Sequence, residues 1–115
     1  MDRNVVVTAE TRNVNSKKLY SMVKNTVFEV CDEYISIHHA AGTKTYDYTQ
    51  LSMFADLFME DLYDKKLITQ HDVICDERNN VPGEVSRGRI NLELKYRQAH
   101  CVNVTSVKFC IQITR

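Results

Sequence analysis

The residues able to do chemistry in this chain are four histidines, four cysteines and the carboxylate pair Asp76-Glu77. Histidines and thiolates hold transition metals when two or more converge, and paired carboxylates do acid–base work when both reach one substrate. Here the spacing works against both. His38 and His39 are adjacent, so on a strand they point to opposite faces, and His71 and His100 have no partner at ligand spacing. Cys31, Cys75, Cys101 and Cys110 include no C-x-x-C pair. They read as buried, reduced thiols, or as cysteines that oxidise between subunits outside the cell, with Cys101 and Cys110 the candidates. Asp76 and Glu77 diverge as strand neighbours, and nothing nearby supplies a nucleophile or an oxyanion site. With no glycine-rich phosphate loop, the expectation is a protein that is not an enzyme, with no cofactor, metal or small-molecule substrate.

The elements that carry these residues follow from periodicity. Leu19, Met22, Val23, Thr26, Val27, Val30 and Tyr34 repeat at helical spacing behind the caps Asn13 to Ser16, which predicts a helix over 16–34. Tyr34 to Ile37 reads as a short strand and HHAAGTKT as a loop. Leu51, Phe54, Ala55, Phe58 and Leu62 then form one face of a second helix capped near Thr49, with Lys65 and Lys66 at its C-terminal end. Beyond it the period becomes two, at His71, Val73 and Cys75 and again at Ile90, Leu92, Leu94 and Tyr96. Val102 and Val104 alternate in one phase and Val107, Phe109, Ile111 and Ile113 in the other, so a bulge or a change of strand is expected at Thr105-Ser106.

At 115 residues, with three glycines and one proline, the chain reads as one α+β domain without linkers: a small mixed sheet with helices packed on one face. Its 15 basic and 15 acidic side chains cancel, which gives no overall attraction to nucleic acid or an anionic membrane. No apolar run reaches the length of a membrane span, and MDRNVVVTAE lacks a signal peptide's apolar segment, so folding in a cytoplasm is expected. Both ends are strand-like. Val5, Val6 and Val7 lie in the β-branched run NVVVT, and the alternating Val107, Phe109, Cys110, Ile111 and Ile113 lie near the other terminus. Such ends are either edge strands of the domain's own sheet or arms that add strands to the sheets of other copies.

The stretch VICDERNNVPGEVSRGRI carries a more specific pattern. Val73, Cys75, Asp76, Asn79, Asn80 and Pro82, followed by Gly88, Arg89 and Ile90, closely resemble the turn in the C-terminal domain of contractile tail sheath proteins of phages and related injection particles. The helix starting at Asn15 to Leu19, the helix QLSMFADLFMEDLYDKKLI and the strand Val107 to Thr114 resemble the family's flanking elements, so the likeness spans residues 14 to 114. RQAHCVNVTS lacks the family's proline-rich connection, Cys101 and Cys110 are not required by its pattern, and the family's large outer domains have no counterpart ahead of residue 14.

The resemblance implies a structural subunit of a contractile phage tail. Its arms, 1–13 with a hinge at Ala9 to Asn13 and 106–115, would extend from a core of residues 14–105 and exchange strands with adjacent copies or other sheath-like proteins. Hexameric rings would then surround a tail tube, neck or collar in the virion, after assembly in the host cytoplasm. The reduced size fits either a minimal sheath or an accessory ring. Lys65, Lys66, Arg87 and Arg89 would face either an acidic tube or solvent. The alternative is a stand-alone binding or regulatory module without strand exchange.

Overall fold

The computed structural model describes residues 4–114. Residues 1–3 and 115, which belong to the two expected arms, lie outside the described residues. The elements run β1 (Asn4–Arg12), α1 (Lys17–Tyr34), β2 (Ser36–Ala40), β3 (Thr43–Asp47), α2 (Thr49–Asp64), β4 (Ile68–Ile74), α3 (Pro82–Ser86), β5 (Arg89–Gln98) and β6 (Val104–Thr114). The main sheet has the order β1-β6-β5-β4 and is antiparallel at every pairing, where a mixed sheet is expected. A hairpin of β2 and β3 forms a separate two-stranded sheet.

Both long helices begin and end for local reasons. Ser16 caps α1 by accepting from the Leu19 N–H at 3.4 Å, and the chain turns extended at Ile35. The Asp47 carboxylate accepts from the Thr49 N–H at 2.9 Å and so fixes the start of α2. At the other end of α2, Lys66 takes φ 62°, and the Leu67 N–H bonds back to the Leu62 carbonyl at 3.0 Å. This left-handed residue turns the chain directly into β4. The helices run antiparallel: Tyr34 at the end of α1 stacks on Phe54 in the first half of α2, with ring centroids 4.9 Å apart.

Leu19, Val23, Val27 and Cys31 of α1 and Leu51, Ala55, Met59 and Leu62 of α2 are buried. They join Ile90, Leu92, Leu94 and Tyr96 of β5 and Val107, Phe109, Ile111 and Ile113 of β6 in a single core. Phe28 meets Phe109 edge to face at 6.1 Å, which seats α1 on β6. Each fully buried aliphatic or aromatic side chain is worth about 1.5–3 kcal/mol, so the two central strands carry much of the stability.

Four expectations need correction. HHAAGTKT is not a loop: Ala40 pairs with Thr43 across a two-residue turn, where Ala41 and Gly42 take φ 51° and 77°. Positive φ at both turn positions matches the twist of a hairpin, and Ala-Gly satisfies it with glycine at only one of them. Secondly, β6 keeps one phase throughout. Thr105 occupies the inward position before Val107, and its hydroxyl donates to the Asn13 carbonyl at 2.7 Å, so the polar group is satisfied without a bulge. The irregular register lies in β4, between Ile68 and Gln70. Thirdly, β4 begins at Ile68 and stops at Ile74, before Cys75. Finally, Ala9 to Arg12 belongs to β1, which leaves Asn13 to Ser16 as the irregular link to α1. The Thr11↔Val107 and Arg12↔Ser106 pairs hold that stretch extended.

Gly88 joins α3 to β5 with φ +85°, and its carbonyl accepts from the Ile113 N–H at 2.8 Å. A Cβ at Gly88 would stand 2.4 Å from the Ile113 carbonyl oxygen, inside any allowed contact. Glycine is therefore needed both for its φ and for the approach of β6. Gly88→Ala is expected to lower stability by about 2 kcal/mol or more, read in urea unfolding as a lower midpoint at unchanged slope.

Candidate functional site

The residues singled out in the sequence converge on two connected regions, the Cys75–Asn91 turn and the β1–β6 pair. In the turn, β4 stops and the side chains of Asn79 and Asn80 take over the backbone pairing. The Asn79 amide nitrogen donates to the Ile74 carbonyl at 2.8 Å and to the Asn91 carbonyl at 3.2 Å, while its oxygen accepts from the Asp76 N–H at 3.1 Å. Asn80, only 2 % exposed, accepts from the Asn91 N–H at 2.7 Å and donates to the Asp76 carbonyl at 3.2 Å and the Asn91 carbonyl at 3.0 Å. The Asn91 side chain returns the contact, donating to the Asn79 carbonyl at 3.0 Å. Three amides thus rivet the end of β4, the turn and the start of β5. A buried amide is tolerated only when its donors and acceptors are engaged, as they are here.

Asp76 closes the outside of the turn. Its carboxylate accepts from the Arg78 N–H at 2.9 Å and from the guanidinium at 2.8 to 3.1 Å. Those Arg78 hydrogen bonds hold its pKa below the ordinary value. Pro82 occupies the first turn of α3, where its missing N–H removes no helical bond. Val85 anchors that helix in the core. The motif therefore acts as a clamp: the amides fix β5, and Gly88 fixes the end of β6.

On the other side, β1 lies along β6 in unbroken register from Asn4↔Thr114 to Arg12↔Ser106. Val5 and Val7 face the core but stay half-buried, Val6 faces outward, and no described side chain of β1 is buried. By contrast Val107, Phe109, Ile111 and Ile113 are all buried. The eight residues expected on two separate arms therefore lie on neighbouring strands of one sheet, with β6 inside it and β1 at its edge. Alternation marks a strand and its inner face, but it does not say whether that face meets its own core or another chain.

All four cysteines are free. Cys110 is half-buried on the outer face of β6, opposite Thr8 and Asn91, whereas Cys101 lies in the β5–β6 loop. About six strand residues, near 20 Å, separate that loop from Cys110, far beyond disulfide reach within one chain. Cys31 and Cys75 are buried, and burial first, then Asp32 and Asp76 respectively, pushes each thiol up to about 12. His71 bonds Glu60 at 3.1 Å and His38 bonds Asp47 at 3.4 Å. No group of three or more His, Cys, Asp or Glu able to hold a metal occurs among the described residues. No helix among them is long and apolar enough to cross a membrane. Lys65 pairs with Asp61 at 2.8 Å and Arg89 with Glu84 at 3.7 Å. A cleft of about 290 Å³ on the outer sheet face is lined by Thr8, Glu10, Asn79, Asn91, Lys108 and Cys110 among others, but its two amides are engaged in the turn. Asn91 and the short α3 were missed by periodicity; the polar residue opposite the Asn-Asn pair was the available signal.

Neither a protein-family model, nor a curated protein, nor a solved structure matches this chain.

Two predictions follow from the site. Asn80→Ala orphans the Asn91 N–H and should cost about 2 kcal/mol in chemical unfolding, with Asp76→Ala costing less because that carboxylate is solvent-exposed. Cys31 and Cys75, raised in the fold to about 12, keep their protons where the unfolded thiols ionise. Stability is therefore fully present below pH 9 and declines from there to about pH 12, read as a falling unfolding midpoint. A double Cys31→Ala/Cys75→Ala variant should lessen that alkaline decline, leaving the part due to Tyr96, whose phenol burial likewise pushes up to about 12.

Proposed function

We propose that the chain is a sheath-like structural subunit of a contractile phage tail, assembling into rings around the tube, neck or collar by exchange of β1 between copies. The observation that carries this reading is the asymmetry of the β1–β6 pair. The accepting strand is clamped and buried along its inner face, while none of the described side chains of the donated strand is fully buried, and that strand is joined to the body through the irregular link Asn13 to Ser16. A neighbour's β1 can make the same register on β6, so exchange loses none of the nine backbone pairs, and its balance is set by the link and by local concentration. Asn13, at φ 59°, is the natural hinge. β6 is in this scheme the receiving strand, and the partners are further copies or related subunits in hexameric rings. The virion is the proposed location, the activity is mechanical rather than enzymatic, and the Asp-Asn-Asn-Pro turn supports the family assignment.

A second reading is favoured by the in-chain pairing itself. If β1 never leaves its own β6, the protein is a stand-alone binding module.

A paired-cysteine experiment separates the two. In a Cys101→Ser/Cys110→Ser background, Val6→Cys and Gln112→Cys place thiols on directly opposed outward positions. Oxidation under assembling conditions should give a non-reducing ladder up to closed rings. A product that is entirely cross-linked monomer would remove the strand-exchange reading and leave the module.

A further inference from the structure

We propose that the end of the molecule from which β1 departs is a second contact between copies, an apolar cap closed against the same end of the neighbour that receives the strand. This inference rests on the strand exchange proposed above and names the contact that favours it. Three elements meet at that end. The link Asn13 to Ser16 is tied to the β5–β6 loop and the start of β6: the Asn15 amide donates to the Asn103 carbonyl at 3.2 Å, and the Thr105 hydroxyl to the Asn13 carbonyl at 2.7 Å. The chain leaving α2 joins the same loop through the Ala99 N–H, which donates to the Leu67 carbonyl at 3.0 Å. The start of α1 completes the end, where Ser16, Leu19 and Met22 line one open groove with Leu67 and Gln98.

Five large apolar side chains are exposed there: Val14 in the link, Met22 on α1, Leu67 beyond α2, and Val102 and Val104 at the entry to β6. Turns are ordinarily built from glycine, proline, asparagine, aspartate or serine, yet Val102 stands in this one at 87 % exposure, the highest among the exposed large apolar residues. Lys17 and Lys18 border the cap on exposed side chains, whose stems leave the charge in water.

The occupant follows from the length of the link. Arg12 pairs with Ser106 at the last step of the β1–β6 register, and α1 begins at Lys17. Five residues of fully extended chain span about 17 Å. When β1 lies on a neighbour's β6, the donor's α1 therefore starts within about 17 Å of the end of that pairing, where the neighbour's own cap lies. A helix with its side chains is itself about 10 Å across, so no third body fits between them. The donor's cap is held beside the cap of the copy that receives its strand. Exchange conserves the nine backbone pairs, so a contact made only between copies shifts the balance toward the assembly.

The test uses the full chain with Val6→Cys and Gln112→Cys in the Cys101→Ser/Cys110→Ser background, oxidised across a range of protein concentration. The readout is the concentration at which half of the cross-links join different copies. Val102→Asp sets a carboxylate in the cap and should raise that concentration at least tenfold. The thermal midpoint of the dilute monomer should not move, because Val102 is exposed in it. Met53→Asp, at an exposed apolar position near the other end of α2, should leave the concentration unchanged. A half-point that is the same with and without Val102→Asp, or that rises equally with Met53→Asp, overturns the cap and leaves strand exchange standing. Cross-links confined to the monomer at every concentration, with Val102 intact, overturn strand exchange and the cap with it.

Discussion

Everything at the open end of the sheet depends on the approach of Ile113 to Gly88. The Ile113 N–H meets the Gly88 carbonyl at 2.8 Å, and there is no room for a side chain between the two backbones. That contact holds the last turn of β6 against the entry to β5. The Asn79–Asn80–Asn91 bonds then hold β5 against the end of β4. Two strands are thereby fixed in register by groups outside the ladder, and β6 lies inside the sheet between β1 and β5.

This arrangement divides the molecule by stability. β4, β5 and β6, with α1 and α2, share one apolar core. β1 adds backbone bonds and the partly buried apolar residues Val5, Val7 and Ala9, and none of its described side chains reaches full burial. Elements with few buried contacts open at lower free energy than the global transition. When β1 opens it uncovers the edge of β6 and the core surface that Val5, Val7 and Ala9 pack against, which a replacement strand would cover again.

Much of this was legible in the sequence. The three-and-four spacing from Leu19 to Tyr34 and from Leu51 to Leu62 marks both long helices, and the period of two from Ile90 to Tyr96 marks β5. What escaped has physical causes. Ala41-Gly42 is a weak turn signal because alanine rarely takes positive φ, so the β2–β3 hairpin reads as a loop. Thr105 looks like a break in phase because its burial depends on an acceptor, the Asn13 carbonyl, far away in sequence. The turn motif was visible as a pattern, yet its work as a clamp depends on Asn91 and Ile113, which no local spacing connects to it.

The central claim is that β1 is a detachable strand on a clamped platform, and amide hydrogen exchange of the dilute, monomeric protein tests it most directly. The β6-facing amides of β1 should exchange through a local opening, at protection well below that of β5 and the β5-facing amides of β6. Equal protection across β1, β5 and β6, lost only with global unfolding, would contradict the account: β1 would then be an integral strand of its own domain.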